Sequence, residues 1–246
     1  MTSFALIASV GFLLGMRHAT DPDHVIAVST IVSRQRGVGM AGVIGAIWGL
    51  GHTLTIFAVG VAIILFKVAI PARLGLSMEF SVGLMLILLG VLNLSGVTKR
   101  LASSFGHTHN LYDLEPVGIP ALSANTATTH THSVHLWNFA RPLAVGVVHG
   151  LAGSAAIALL VMTTIQDPFW EIIYILIFGL GTIAGMMVIT ACIALPIAYT
   201  ARRFSALNRG MVYASGVLSI CFGLFVSYQT GFVNGLFTAH PHWTPQ

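Results

Sequence analysis

Apolar residues run along the chain in six blocks, at roughly 4–33, 41–66, 80–97, 143–165, 170–198 and 211–236. Each is close to the length of about 20 residues that a helix needs to cross a hydrocarbon layer. The pattern predicts an all-α integral membrane protein with six transmembrane helices. A polar stretch, 98–140, separates the third block from the fourth, and it carries His107, His109, His130, His132 and His135 among Thr, Ser and Asn. No basic residue precedes the first block. Residues 2–16 contain none and Arg17 follows them, so the first block reads as a span and not as a secretory leader.

Composition strengthens the membrane reading. Of 246 residues, 56% are hydrophobic and 7% are charged, against about 25% charged in a soluble domain. The net charge of +4 is scattered among apolar runs, which points to membrane-flanking charges and away from nucleic acid. Arg34, Arg36, Lys99, Arg100, Arg141, Arg202, Arg203 and Arg209 lie in alternate connections, opposed on the other side by Lys67 and Arg73. The positive-inside rule then puts the first group in the cytoplasm, both termini outside, and the histidine-rich stretch inside a multi-pass protein of the cytoplasmic (inner) membrane. Cys192 and Cys221 stand alone in separate blocks, with no C-x-x-C pair, and read as packing residues.

The two halves echo each other. Gly15-x-x-His18 returns as Gly146-x-x-His149, "GLG" at 49–51 returns at 179–181, and Gly83 and Gly90 return as Gly216 and Gly223, at offsets of 130 to 133. An odd number of spans per half requires the halves to point in opposite directions, which is an inverted repeat, a transporter architecture with its site near mid-membrane. The expected organisation is a first three-helix repeat over 1–97, a cytoplasmic histidine-containing loop over 98–140, and a second three-helix repeat with a C-terminal tail over 141–246.

Against this apolar background "RHATDPDH", residues 17–24, is anomalous. Ionisable groups inside a membrane cost several kcal/mol each and are paired or functional. On a straight helix His18 and His24 would lie about 120° apart around the axis and about 9 Å apart along it, too far to share one ion. Pro22 lacks a backbone N–H and clashes with the carbonyl of residue 18, so it should break the first helix and let His18, Asp23 and His24 converge. "GLGHTLT" puts His52 in the second span, and "VVHGLAGSAA" puts His149 in the fourth. Imidazoles with a carboxylate and no thiolate suit a borderline divalent metal, with nickel and cobalt good candidates that ligand type alone does not separate from zinc or copper.

Blander readings stand beside these. A lone intramembrane histidine, His149 or His52, can simply hydrogen-bond between helices. Asp21 can ligate a metal or neutralise Arg17, and the second is preferred. The loop histidines fit either a metal trap or a solvated segment, and His240 and His242 fit ordinary tail composition.

At these residues the chain resembles the nickel/cobalt transporter family. "RHATDPDH" matches its H-x4-D-H signature, "LGHTLT" resembles its second motif, and the span pattern fits its short six-span members associated with urease maturation. The resemblance implies a secondary permease for Ni2+ or Co2+, with His18, Asp23 and His24 essential and His52 supporting. Two acidic motifs of longer members are missing. Their nearest counterparts here, "HGLAGSAA" and "AGMMVITA", have no carboxylate, so those roles do not carry over.

The expected function is therefore a non-enzymatic permease, bedded in the lipid bilayer, with the metal as substrate and no cofactor. A homo-oligomer is compatible with this, and the sequence is silent on an accessory subunit. No nucleotide-binding fingerprint is present, and a membrane potential of about 100 mV favours inward movement of a dication by about 4.6 kcal/mol. An efflux protein of similar fold is the alternative. An intramembrane zinc hydrolase is a weaker one, because no H-E-x-x-H occurs and Glu79, Glu115 and Glu171 fall at span ends or in loops.

Overall fold

In a computed structural model of the chain, residues 2–33, 35, 37–66, 71–95, 139–152 and 167–243 are described. They form an all-helical structure. The elements are α1 (Thr2–His18), α2 (Pro22–Val32), α3 (Val38–Phe66) and α4 (Ala72–Ser95), then α5 (Phe139–Ala152), α6 (Pro168–Arg203), α7 (Ser205–Tyr228) and a π-helical turn, Gln229–Val233. Among the described residues, four stretches are long and apolar enough to cross a membrane: α3, α4, Pro168–Ala201 of α6, and Ser205–Val233. The histidine-rich segment expected at 98–140 lies outside the described residues, except that Phe139 and Ala140 already belong to α5. The expected fourth span, 143–165, is described only to residue 152.

Several helix limits differ from those expected. Helix α4, which carries the third apolar block, begins at Ala72 and not near 80, because the polar positions Arg73 and Ser77 are accommodated on its exposed face. Helix α6 runs through Pro196 to Arg203. The hydroxyl of Thr200 donates back to the Pro196 carbonyl at 2.9 Å, one turn earlier in the same helix. At its start the Asp167 carboxylate accepts the N–H of Phe169 at 3.0 Å and Pro168 occupies the first turn, where a missing N–H costs nothing.

The first block is broken, as Pro22 requires. Helix α1 stops at His18, and tight turns follow from Thr20 N to Arg17 O (2.8 Å) and from Asp21 N to His18 O (3.1 Å). Asp21 takes the extended conformation, φ −59° and ψ 144°, that a residue before proline prefers. Pro22 then opens α2.

The outer surface is apolar, and polar side chains lie among the apolar ones of the core. Leu50, Leu54, Leu84, Leu88, Leu180, Leu195, Leu218 and Phe225 are exposed, whereas Thr30, Ser33, Asn93, Thr182, Thr190 and Ser219 are buried. Hydrogen bonds satisfy those polar groups, Thr182 and Thr190 within their own helix and the others also across helices. Asn93 donates to the Val212 carbonyl at 3.1 Å and accepts from Ser33 at 3.2 Å, and Ser219 donates to the Leu86 carbonyl at 2.7 Å. Cys192 and Cys221, expected to pack, are both exposed on the outer surface, where a small apolar thiol needs no partner.

Glycines let the helix backbones meet. A methyl group at Gly15 of α1 would overlap the Phe178 carbonyl of α6, and one at Gly146 of α5 would overlap the Trp48 carbonyl of α3. The same holds for Gly51 against Leu143 and for Gly181 against Phe12. Between α4 and α7, Gly90 lies on the Gly216 carbonyl and Gly223 on the Gly83 carbonyl. Such close approach is how helices associate where lipid offers no hydrophobic drive.

Candidate metal centre

The break after His18 reverses the geometric problem posed by the sequence. The rings of His18 and His24 come to 4.7 Å between centroids. Two further imidazoles join them: His52 of α3, 5.0 Å from the His24 ring, and His149 of α5, 4.2 Å from it. His24, His52 and His149 are at most 2% exposed, and Trp48 walls them in at 5.7 Å from both His24 and His149. Four histidines from four helices thus cluster around the His24 ring.

Carboxylates set the orientation of three of these rings. Asp23 Oδ1 lies 3.0 Å from His24 Nδ1, and Asp23 Oδ2 lies 3.0 Å from His149 Nε2. Asp21 Oδ2 lies 2.7 Å from His18 Nδ1. Since a carboxylate only accepts, the facing ring nitrogens are assigned the protons, which leaves lone pairs on His18 Nε2, His24 Nε2 and His149 Nδ1. The backbone N–H of His24 also donates to Asp23 Oδ1, at 2.9 Å, which fixes that carboxylate against its own helix.

Three of the ring nitrogens, His24 Nε2, His52 Nδ1 and His149 Nδ1, are buried with no hydrogen-bond partner among the described residues. Buried polar atoms are nearly always paired, so three orphans in one cluster are a strong reason to look for a ligand. The His18 and His52 Nε2 atoms lie 3.2 Å apart. Two nitrogens bound to one metal at about 2.1 Å stand about 3.0–3.4 Å apart. The sets His18–His24–His52 and Asp23–His24–His149 each bring one donor atom per residue within 4.8 Å of the others. A cavity of about 410 Å³ reaches them, lined by His18, Asp21, Pro22, Asp23, His24, His52 and His149 together with Glu79, Val82, Ala152, Phe222 and Val226.

The residues singled out from the sequence, His18, Asp21, Pro22, Asp23, His24, His52 and His149, all line this cavity. The preferred partner of Asp21 is different from the expected one. It meets the His18 ring, and no ion pair joins it to Arg17 among the described residues. The reason is local: Arg17 faces outward at the end of α1, and the turn at 19–21 folds Asp21 back over His18. His240 and His242 are exposed in the tail, away from the cluster's lining. The loop histidines are outside the described residues. Glu79 is the cavity-lining carboxylate that sequence reading passed over. Its place near the end of a span hid it, and only the approach of α4 to the broken helix brings it in.

The chain is thus an all-helical protein of membrane-spanning character with a buried imidazole–carboxylate centre. It is 35% identical over 235 residues to the urease accessory protein UreH of Bacillus sp. (strain TB-90), an alignment covering 94% of each chain, and it belongs to that protein's family. No family model matches the chain, and no solved structure matches it.

Proposed function

We propose that this protein is a secondary permease for Ni2+, accepting Co2+, that carries the ion inward across the cytoplasmic membrane. The observation that carries the reading is the clustering of three buried imidazoles, the partly buried His18 and Asp23 into two donor sets that share His24, with three ring nitrogens lacking a partner among the described residues. Imidazole nitrogens with one carboxylate match nickel or cobalt and do not match magnesium or calcium, which take all-oxygen cages. The relative's designation as a urease accessory protein agrees with nickel handling and with a non-enzymatic role.

In this reading the dication sheds water to His18 Nε2, His24 Nε2, His52 and His149 Nδ1. Asp23 neutralises part of the charge and holds two of the rings. Its Oδ2 has lone-pair capacity left beside the one N–H it accepts, so it also serves as a ligand. Asp21 acts on His18 from behind. Outer partners of this kind commonly change metal affinity by about 10–100-fold.

The architecture we assign is six spans arranged as two inverted three-helix repeats, with α1 and α2 together as the first span. Reciprocal contacts support it. Gly15 meets Phe178 as Gly146 meets Trp48, and Gly51 meets Leu143 as Gly181 meets Phe12, each set related by the offsets of 130 and 131 seen in the sequence. The Gly90–Gly216 and Gly83–Gly223 contacts exchange with one another under the offset of 133. Rocking of one half against the other would then open the centre alternately to each side.

The test is isotopic nickel and cobalt accumulation in a host that lacks its own permeases for both metals. Increased accumulation on expression supports uptake. Decreased accumulation assigns export, and no change in either metal overturns the permease reading.

A further inference from the structure

Glu79 stands on α4 about 10 Å along the helix from Ala72, on the wall of the same cavity that holds the four histidines. A carboxylate within a spanning helix is costly and normally paired. Among the described residues no Lys, Arg or His forms an ion pair with Glu79. Its hydrogen-bond partner is the indole of Trp243, whose Nε1 donates to Glu79 Oε1 at 2.8 Å.

That indole arrives from the far end of the chain. After the π-helical turn the tail reverses at Gly235, φ +82°, and the N–H of His242 donates to the Asn234 carbonyl at 2.9 Å. Phe237 meets the ring of Phe80 edge-on, at 5.4 Å between centroids. Trp243 rests on Gly75, where any side chain would overlap its ring. The tail is therefore strapped along the first turns of α4, and its last anchoring side chain grips one oxygen of Glu79. A neutral indole satisfies one lone pair but supplies no countercharge to the carboxylate.

We propose that Glu79 is an outer cation station. It attracts the hydrated dication at the end of the cavity nearest the start of α4, holds it by oxygen contact, and hands it on to the imidazoles. Trp243 is a positioning residue that keeps the carboxylate turned toward the cavity. An oxygen ligand of this kind concentrates divalent cations without choosing among them, so the choice of metal is left to the imidazoles. This inference rests on the permease reading above.

The experiment is concentration-dependent nickel and cobalt uptake by cells expressing the full chain, with its membrane level measured in parallel. Glu79→Gln is expected to raise KM for both metals about five- to tenfold, leaving Vmax within twofold and the nickel-to-cobalt preference unchanged. Glu79→Asp is expected to recover most of the loss. Trp243→Phe keeps the ring on Gly75 and removes the N–H, so it should raise KM two- to threefold in the wild-type background and add nothing to Glu79→Gln. If Glu79→Gln fails to reach the membrane, Trp243→Phe and Glu79→Asp decide the matter by the same KM readout. Unchanged KM in the variants, a Vmax effect alone, or a shifted metal preference overturns the station while leaving the permease standing. A wild-type chain that moves neither metal overturns both.

Discussion

His149 of α5 reaches Asp23 of α2 across 126 positions of sequence, with Nε2 3.0 Å from Oδ2. The link ties the second half of the chain to the signature motif of the first, and Asp23 holds His24 with its other oxygen. Asp23→Asn would put an amide N–H against one of these donors, and His149→Ala would leave Asp23 Oδ2 without its imidazole. Each change is expected to lower nickel accumulation at least tenfold at unchanged membrane level. The double variant should be no worse than Asp23→Asn alone, because both act on one unit. Additive losses would show that His149 works elsewhere.

Pro22 begins α2 at a position where an N–H has no intrahelical acceptor to find. With Pro22→Ala the His18 carbonyl can recover a regular helical donor, and a straighter helix draws His18 and His24 apart. Uptake should fall several-fold. Wild-type uptake in that variant would mean that the break is held by packing around 19–21 and not by the proline.

Paired glycine substitutions separate close-packed from open positions. Gly15→Ala and Gly146→Ala each push a methyl into a facing backbone carbonyl, which typically costs about 1–3 kcal/mol of overpacking. Gly210→Ala in α7 meets nothing within 4 Å and should gain about 0.5–1 kcal/mol of helix stability. Thermal unfolding in detergent checks the ordering: the first two lowered by similar amounts, the third unchanged or raised.

Acid should weaken transport from the ligand side. Imidazole binds metal only through a bare nitrogen, so metal binding releases protons wherever a ring was protonated beforehand. Apparent affinity for nickel is expected to fall as external pH is lowered. Maximum velocity should change less. An affinity that improves in acid would argue against imidazole ligation of the metal.

The sequence by itself determined the helical, lipid-facing character, because a polypeptide with so few charges has nothing to offer water. It also located the motif, since two imidazoles and two carboxylates around a proline cannot be ordinary span composition. What it left open depended on contacts between distant segments. Asp21 belongs to His18 and not to Arg17 because a turn of three residues decides which way the carboxylate swings, and that turn is set by how α1 packs on α6. Whether His149 was a spectator could not be read from its neighbours Val148 and Gly150. Its contact with Asp23 follows from α5 closing on α3 through Gly51 and Gly146. Glu79 looked like a boundary charge until the tail and α4 were folded together. Periodicity and polarity fix which groups leave water, but only the crossing of helices fixes which of those groups meet, since hydrogen-bond and ligand distances are decided to within an ångström by backbones far apart in the chain.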